Sequence, residues 1–133
     1  MKNTVLAVLT SGIWISFSEF LRNEILFKGY WLNRYAALGL RFPSEASNNA
    51  MWVVWSFVLA GAVTLLARRL SLFETTLTAW LLAFVLMWVV VWNLDVLPLG
   101  LLPIAVPWSM GETVVAVLLA RRFLGSTAAG GWR

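Results

Sequence analysis

AMWVVWSFVLAGAVTLLA occupies Ala50 to Ala67, with Ser47, Asn48 and Asn49 ahead of it and Arg68 and Arg69 directly behind. A run of this length without a charge meets the lower limit for a helix crossing the hydrocarbon core of a bilayer. The polar cluster at one end and the Arg pair at the other mark where that helix meets water. Ser56, Ala60 and Thr64 recur every fourth residue, a small-residue stripe suited to close helix contact within the chain or between two copies. Asn48 or Asn49 is the expected cap of this helix.

Beyond the Arg pair, Ser71 and Glu74 form an S-x-x-E capping box before the apolar run Thr75 to Trp92, which predicts a third helix over 72–94. The next stretch, Val96 to Ala120, contains Pro98, Gly100, Pro103 and Pro107, so one straight helix over all of it is not expected. A fourth helix over 104–124 is predicted, with 96–108 either helical or re-entrant. Upstream, residues 4–28 predict a first helix about 37 Å long, with Gly29 just past its end. A cleaved secretory signal over Met1 to Phe17 is the competing reading, but no A-x-A-like site follows and the apolar pattern continues.

Between the first two spans, Gly29 to Asn49 is too polar to cross. Phe27, Tyr30, Trp31, Tyr35 and Leu38 recur there at spacings near three and four, which predicts a short amphipathic helix at the membrane surface. The tail 125–133 is rich in Gly and Ala and is expected to be mobile. The fold expected is an all-α membrane protein, a compact bundle of four transmembrane helices with a short interfacial helix between helices 1 and 2. It forms one domain over 1–124.

Composition agrees. The chain is 61% hydrophobic and 12% charged, against about 25% charged in soluble domains. Nine Trp residues suit the interface, where one edge of the ring is wet. With no Cys and no His, imidazole and thiol chemistry is excluded, as is zinc or haem held by such ligands; no metal or cofactor is expected. The positive residues are scattered or sit as pairs at the ends of apolar runs, a topology signal and not a nucleic-acid patch. Lys2, Arg68, Arg69, Arg121, Arg122 and Arg133 fall on one side of four crossings, and Arg22, Lys28, Arg34 and Arg41 on the other. Both termini are therefore expected in the cytoplasm, in a bacterial inner (cell) membrane. The lipid bilayer is the first partner expected, with a homodimer or a membrane protein partner as the second.

A charged side chain near the middle of a membrane helix costs about 2.5 to 3.5 kcal/mol on insertion scales, so each one needs a partner, a wet cavity or a role. In the first helix Ser11, Trp14, Ser18 and Arg22 fall within about 80° of one another, with Glu19 on the same flank. Glu19 and Arg22 either pair at the surface or form one wall of a polar cavity. Glu112 lies about ten residues into the fourth helix, roughly 13 Å deep. It shares a stripe with Ala105, Ser109, Ala116 and Ala120. Ser109 and Glu112 also have the spacing of a second capping box. Trp108 to Glu112 loosely echoes Trp14 to Glu19. In the third helix Trp80, Phe84, Trp88 and Trp92 form an aromatic stripe leading to Asn93 and Asp95, either packing or a wall suited to cationic or flat apolar solutes.

Glu19, Arg22, Asn93, Asp95, Trp108, Ser109 and Glu112 are thus the candidates for solute binding or proton exchange. The first function that fits them is binding or transport of a small solute in a polar intramembrane cavity between helices 1, 3 and 4. The second is a non-catalytic membrane subunit that packs against another membrane protein through the Ser56 to Thr64 stripe and the aromatic segment. An intramembrane enzyme is the weakest reading: nothing fixes the separation of acids such as Asp95 and Glu112, and no catalytic constellation stands in the sequence.

Overall fold

In the computed structural model residues 2–125 are described; all but the first residue of the expected mobile tail lies outside them. Every regular element among the described residues is helical. Four helices are long and apolar enough to cross a membrane, at Asn3–Leu26, Ala46–Ala67, Leu72–Asn93 and Leu99–Leu124. The outward faces of these spans are apolar, with Ile13, Val58, Leu65 and Val90 more than half exposed, as side chains turned to lipid are. The chain is a membrane-embedded protein.

The first span is α1, Lys2–Phe20, prolonged by a π-helical turn at Leu21–Leu26. Phe27 closes that turn by donating its N–H to the Arg22 carbonyl at 2.8 Å. A separate helix α2, Lys28–Ala37, follows. It stops where Gly39 takes a φ of 69°, a left-handed conformation that costs glycine least; the adjoining Leu40 N–H reaches back to the Tyr35 carbonyl at 2.9 Å.

The second span, α3, covers Ala46–Ala67 and begins four residues before the apolar run. Glu45 holds the N-cap position in an extended conformation and makes no side-chain cap bond. The expected cap at Asn48 or Asn49 is therefore corrected: both lie in the first turn and donate their N–H groups to the Glu45 carbonyl.

The capping box at the third span is present. Glu74 N–H donates to Ser71 Oγ at 3.3 Å, and Ser71 N–H donates to the Glu74 carboxylate at 2.8 Å. The rod continues as α4, Leu72–Trp80, a second π-helical turn at Leu81–Val85, and α5, Leu86–Asn93. A single 3-10 turn, Leu99–Leu101, then leads into α6, Leu102–Leu124. Pro103 stands in the first turn of α6, where a missing N–H is harmless. Pro107 lies inside a helix that nonetheless runs through unbroken. The stretch 102–108 is helical, and the reading of Ser109 and Glu112 as a helix start is corrected.

α1 lies against both α6 and α3, and α6 also touches α3 and α4. Near the Arg68 end the core is Ala7, Val63, Ala79, Val117 and Ala120. Ile15, Ala60 and Ala116 follow in the middle, and Phe27, Leu101 and Ala105 lie at the Asp95 end. Small residues dominate because lipid supplies no hydrophobic drive between helices, leaving close packing and hydrogen bonds to hold them. Ser11 Oγ donates to the Ala116 carbonyl at 3.0 Å, directly from α1 to α6. Ser56, Ala60 and Thr64 are buried within the chain, so the stripe offered to a second copy is already occupied.

Candidate functional site

Glu19 and Arg22 sit where α1 passes into its π-helical turn, and both are 3% exposed. The Arg22 guanidinium pairs with one Glu19 carboxylate oxygen. Asn23 Nδ2 donates to the other at 2.7 Å, and Trp31 Nε1 of α2 donates to Asn23 Oδ1 at 3.3 Å. The guanidinium also lies over the Phe84 ring, 5.0 Å from its centroid. Arg22 and Phe84 each belong to a π-helical turn, a wide turn that is frequent at functional sites. Here the two turns face each other through a cation-π contact.

Glu112 approaches from α6. Ser18 Oγ donates to Glu112 Oε2 at 2.5 Å, while Trp108 Nε1 donates to Ser18 Oγ at 3.0 Å. Trp14 Nε1 bonds the Glu112 main-chain carbonyl at 3.0 Å. Glu112 Oε1 and Arg22 Nη1 are among the enclosed side-chain atoms that have no hydrogen-bond partner. A buried polar atom without a partner is costly, and such atoms concentrate where a site has work besides stability.

Ser109, one turn before Glu112, accepts from Trp80 Nε1 at 2.9 Å and donates to the Val106 carbonyl at 3.1 Å. Its hydroxyl serves α4–α6 contact. Four of the candidates, Glu19, Arg22, Trp108 and Glu112, are thus drawn into one polar layer between α1, α6 and the third span, with Ser109 one turn away on α6. Asn93 and Asp95 are not. Both are exposed, and the Asp95 backbone turns at a φ of 61°. Arg34 of α2 holds Asp95 by its main-chain oxygen at 2.6 Å and its carboxylate at 2.5 Å, tying α2 to the loop before α6.

A cavity of about 680 Å³ opens beside the polar layer. Ser16, Glu19, Arg22 and Asn23 line one side; Trp52 and Ser56 of α3 and Trp88 of α5 line others, and Tyr35 and Phe42 stand toward the Asp95 end. Its size falls in the range of small-molecule sites, roughly 300 to 1,000 Å³. The contribution of α3 was not expected, since its apolar run reads as scaffold. The available signal was the series Asn49, Trp52 and Ser56, spaced three and four apart. Glu112 stands behind the wall and not on it. Among the described residues, no group of three or more His, Cys, Asp or Glu side chains gathers as a metal site would.

Comparison with family models, with curated proteins and with solved structures finds no match to this chain.

Proposed function

We propose that this protein binds a small solute, for transport, in the cavity between its first, third and fourth spans and the start of α3. The observation that carries this reading is the buried Glu19–Arg22–Glu112 layer placed against a cavity of about 680 Å³. Ionisable groups inside a membrane are expensive and mark solute or ion paths. The four spans form one compact bundle in a bacterial inner membrane, with both termini cytoplasmic. Arg68, Arg69, Arg121 and Arg122 gather at one end of the spans, as the positive-inside rule requires of the cytoplasmic side. The cavity then opens in the outer half of the bilayer, and α2 lies across its outer end as the interfacial helix, held by Arg34 and Asp95.

The test is thermal unfolding of the purified chain in detergent against a broad solute panel, repeated with Val53→Trp. Val53 lines the cavity and is 48% exposed, so Trp fills the space without entering the core. A solute that binds the folded state raises its stability by mass action; the expected result is a rise for some solutes that Val53→Trp removes. No rise with any solute, together with stoichiometric co-purification of another membrane protein, supports the subunit reading and overturns this one.

A further inference from the structure

Among the enclosed side-chain atoms that have no hydrogen-bond partner, Arg22 Nη1 and Ser16 Oγ belong to residues lining the cavity. Arg22 is 3% exposed. Glu19 engages one of its terminal nitrogens and the guanidinium lies over Phe84, which leaves the other nitrogen for a group that the cavity can bring. A stranded buried donor costs free energy that an entering acceptor recovers. From this donor and the walls around it we propose that the cavity takes a neutral, flat apolar compound bearing a carbonyl oxygen, an aromatic ketone or amide, with Arg22 Nη1 donating to that oxygen. The proposal deepens the solute-binding reading and rests on it.

Charge decides between a neutral acceptor and an anion. The Arg22 guanidinium is paired with Glu19, whose two carboxylate oxygens accept from Arg22 Nη2 and Asn23 Nδ2. Glu24, the other acid of the wall, pairs with Lys28. The wall therefore offers an unused donor and no unpaired positive charge. An anion at Arg22 would bring a second negative charge beside Glu19 in a medium of low dielectric constant, where like charges repel strongly. A carbonyl oxygen takes the same hydrogen bond without adding charge. An ammonium is no better placed, because it has donors only and none of them can accept from the Arg22 N–H groups. The body of the solute is set by Phe27, Trp31, Trp52 and Trp88, which line the cavity and cover flat apolar surface.

Acetylnaphthalene, isopropylnaphthalene, naphthoate and naphthylmethylammonium, substituted at the same ring position, share the flat body and differ in the group presented to Arg22. Each is titrated into the purified chain in detergent, and its dissociation constant is read from the rise in unfolding temperature with free solute concentration. The ketone is expected to bind on the order of tenfold or more tighter than the hydrocarbon, and tighter than either ion. Arg22→Lys keeps a positive partner for Glu19 and removes the second nitrogen, so in a folded variant the preference for ketone over hydrocarbon should disappear. Equal binding of the hydrocarbon, or tighter binding of the carboxylate or the ammonium, overturns the proposal, and that comparison needs no variant to fold. A preference retained in full by a folded Arg22→Lys also overturns it. If any of these results comes while the solutes still raise the unfolding temperature of the wild type and not of Val53→Trp, the choice of a carbonyl fails and solute binding stands. If no solute of any kind does so, both fail.

Discussion

Ser18→Ala removes one oxygen from the centre of the buried layer. That hydroxyl donates to Glu112 Oε2 at 2.5 Å and accepts from Trp108 Nε1 at 3.0 Å. Glu112 Oε1 is already without a partner, so the substitution leaves both oxygens of a buried carboxyl without a hydroxyl donor, and one indole N–H without an acceptor. Hydrogen bonds between membrane helices average about 0.6 kcal/mol, which sets the scale for the Trp108 bond. Leaving a buried polar group without its hydrogen bond costs about 1 to 3 kcal/mol, which sets it for Glu112. The sum predicts a loss of about 2 to 4 kcal/mol, several times the roughly 0.5 kcal/mol of an ordinary surface substitution. Equilibrium unfolding in mixed detergent micelles measures it, and a cycle with Glu112→Gln isolates the shared bond. A loss below about 0.5 kcal/mol, or no coupling in the cycle, would refute the idea that Ser18 joins α1 to α6 at this layer.

Two further substitutions probe the same packing, read by the same unfolding measurement. Gly12→Ala puts a Cβ 2.6 Å from Phe57 Cδ1 and 2.7 Å from Cε1. Overpacking costs about 1 to 3 kcal/mol against the gain of about 1 kcal/mol that Ala has over Gly in a helix; net destabilisation is expected, and Phe57→Leu should relieve it. Arg22→Met strands the buried Glu19 carboxylate, with an expected cost of about 3 to 5 kcal/mol. Adding Glu19→Gln should recover most of that loss, and a failure to recover would show that Arg22 matters through its contact with Phe84 instead.

The spans were legible because each carries an apolar stretch too long for a water-facing helix, and the start of the third was legible because a capping box is a local device. The same S-x-x-E spacing recurs at Ser109 and Glu112, yet there it lies inside α6. The difference is non-local: Pro103 has already opened the helix, and Ser18 and Trp80 supply bonds that no spacing reveals. The inward face of Ser11, Trp14 and Ser18 followed from 100° per residue, which is valid as far as Phe20. Past that point the π-helical turn changes the angular step, and the meeting of Arg22 with Phe84 depends on two such turns. Asn93 and Asp95 were candidates by nearness in sequence to the aromatic stripe. The backbone reversal at Asp95 turns its carboxylate to Arg34 instead.

The ion pair between Glu19 and Arg22 spans a single helical turn, and this bears on how the chain enters the membrane. Positions three apart on one helix can associate without help from another span, so this pair can enter lipid already neutralised. Glu112 has no such companion on α6: its hydroxyl donor, Ser18, belongs to a span made earlier. Translation order therefore delivers the bare acid after them, to a bilayer already holding the groups that receive it.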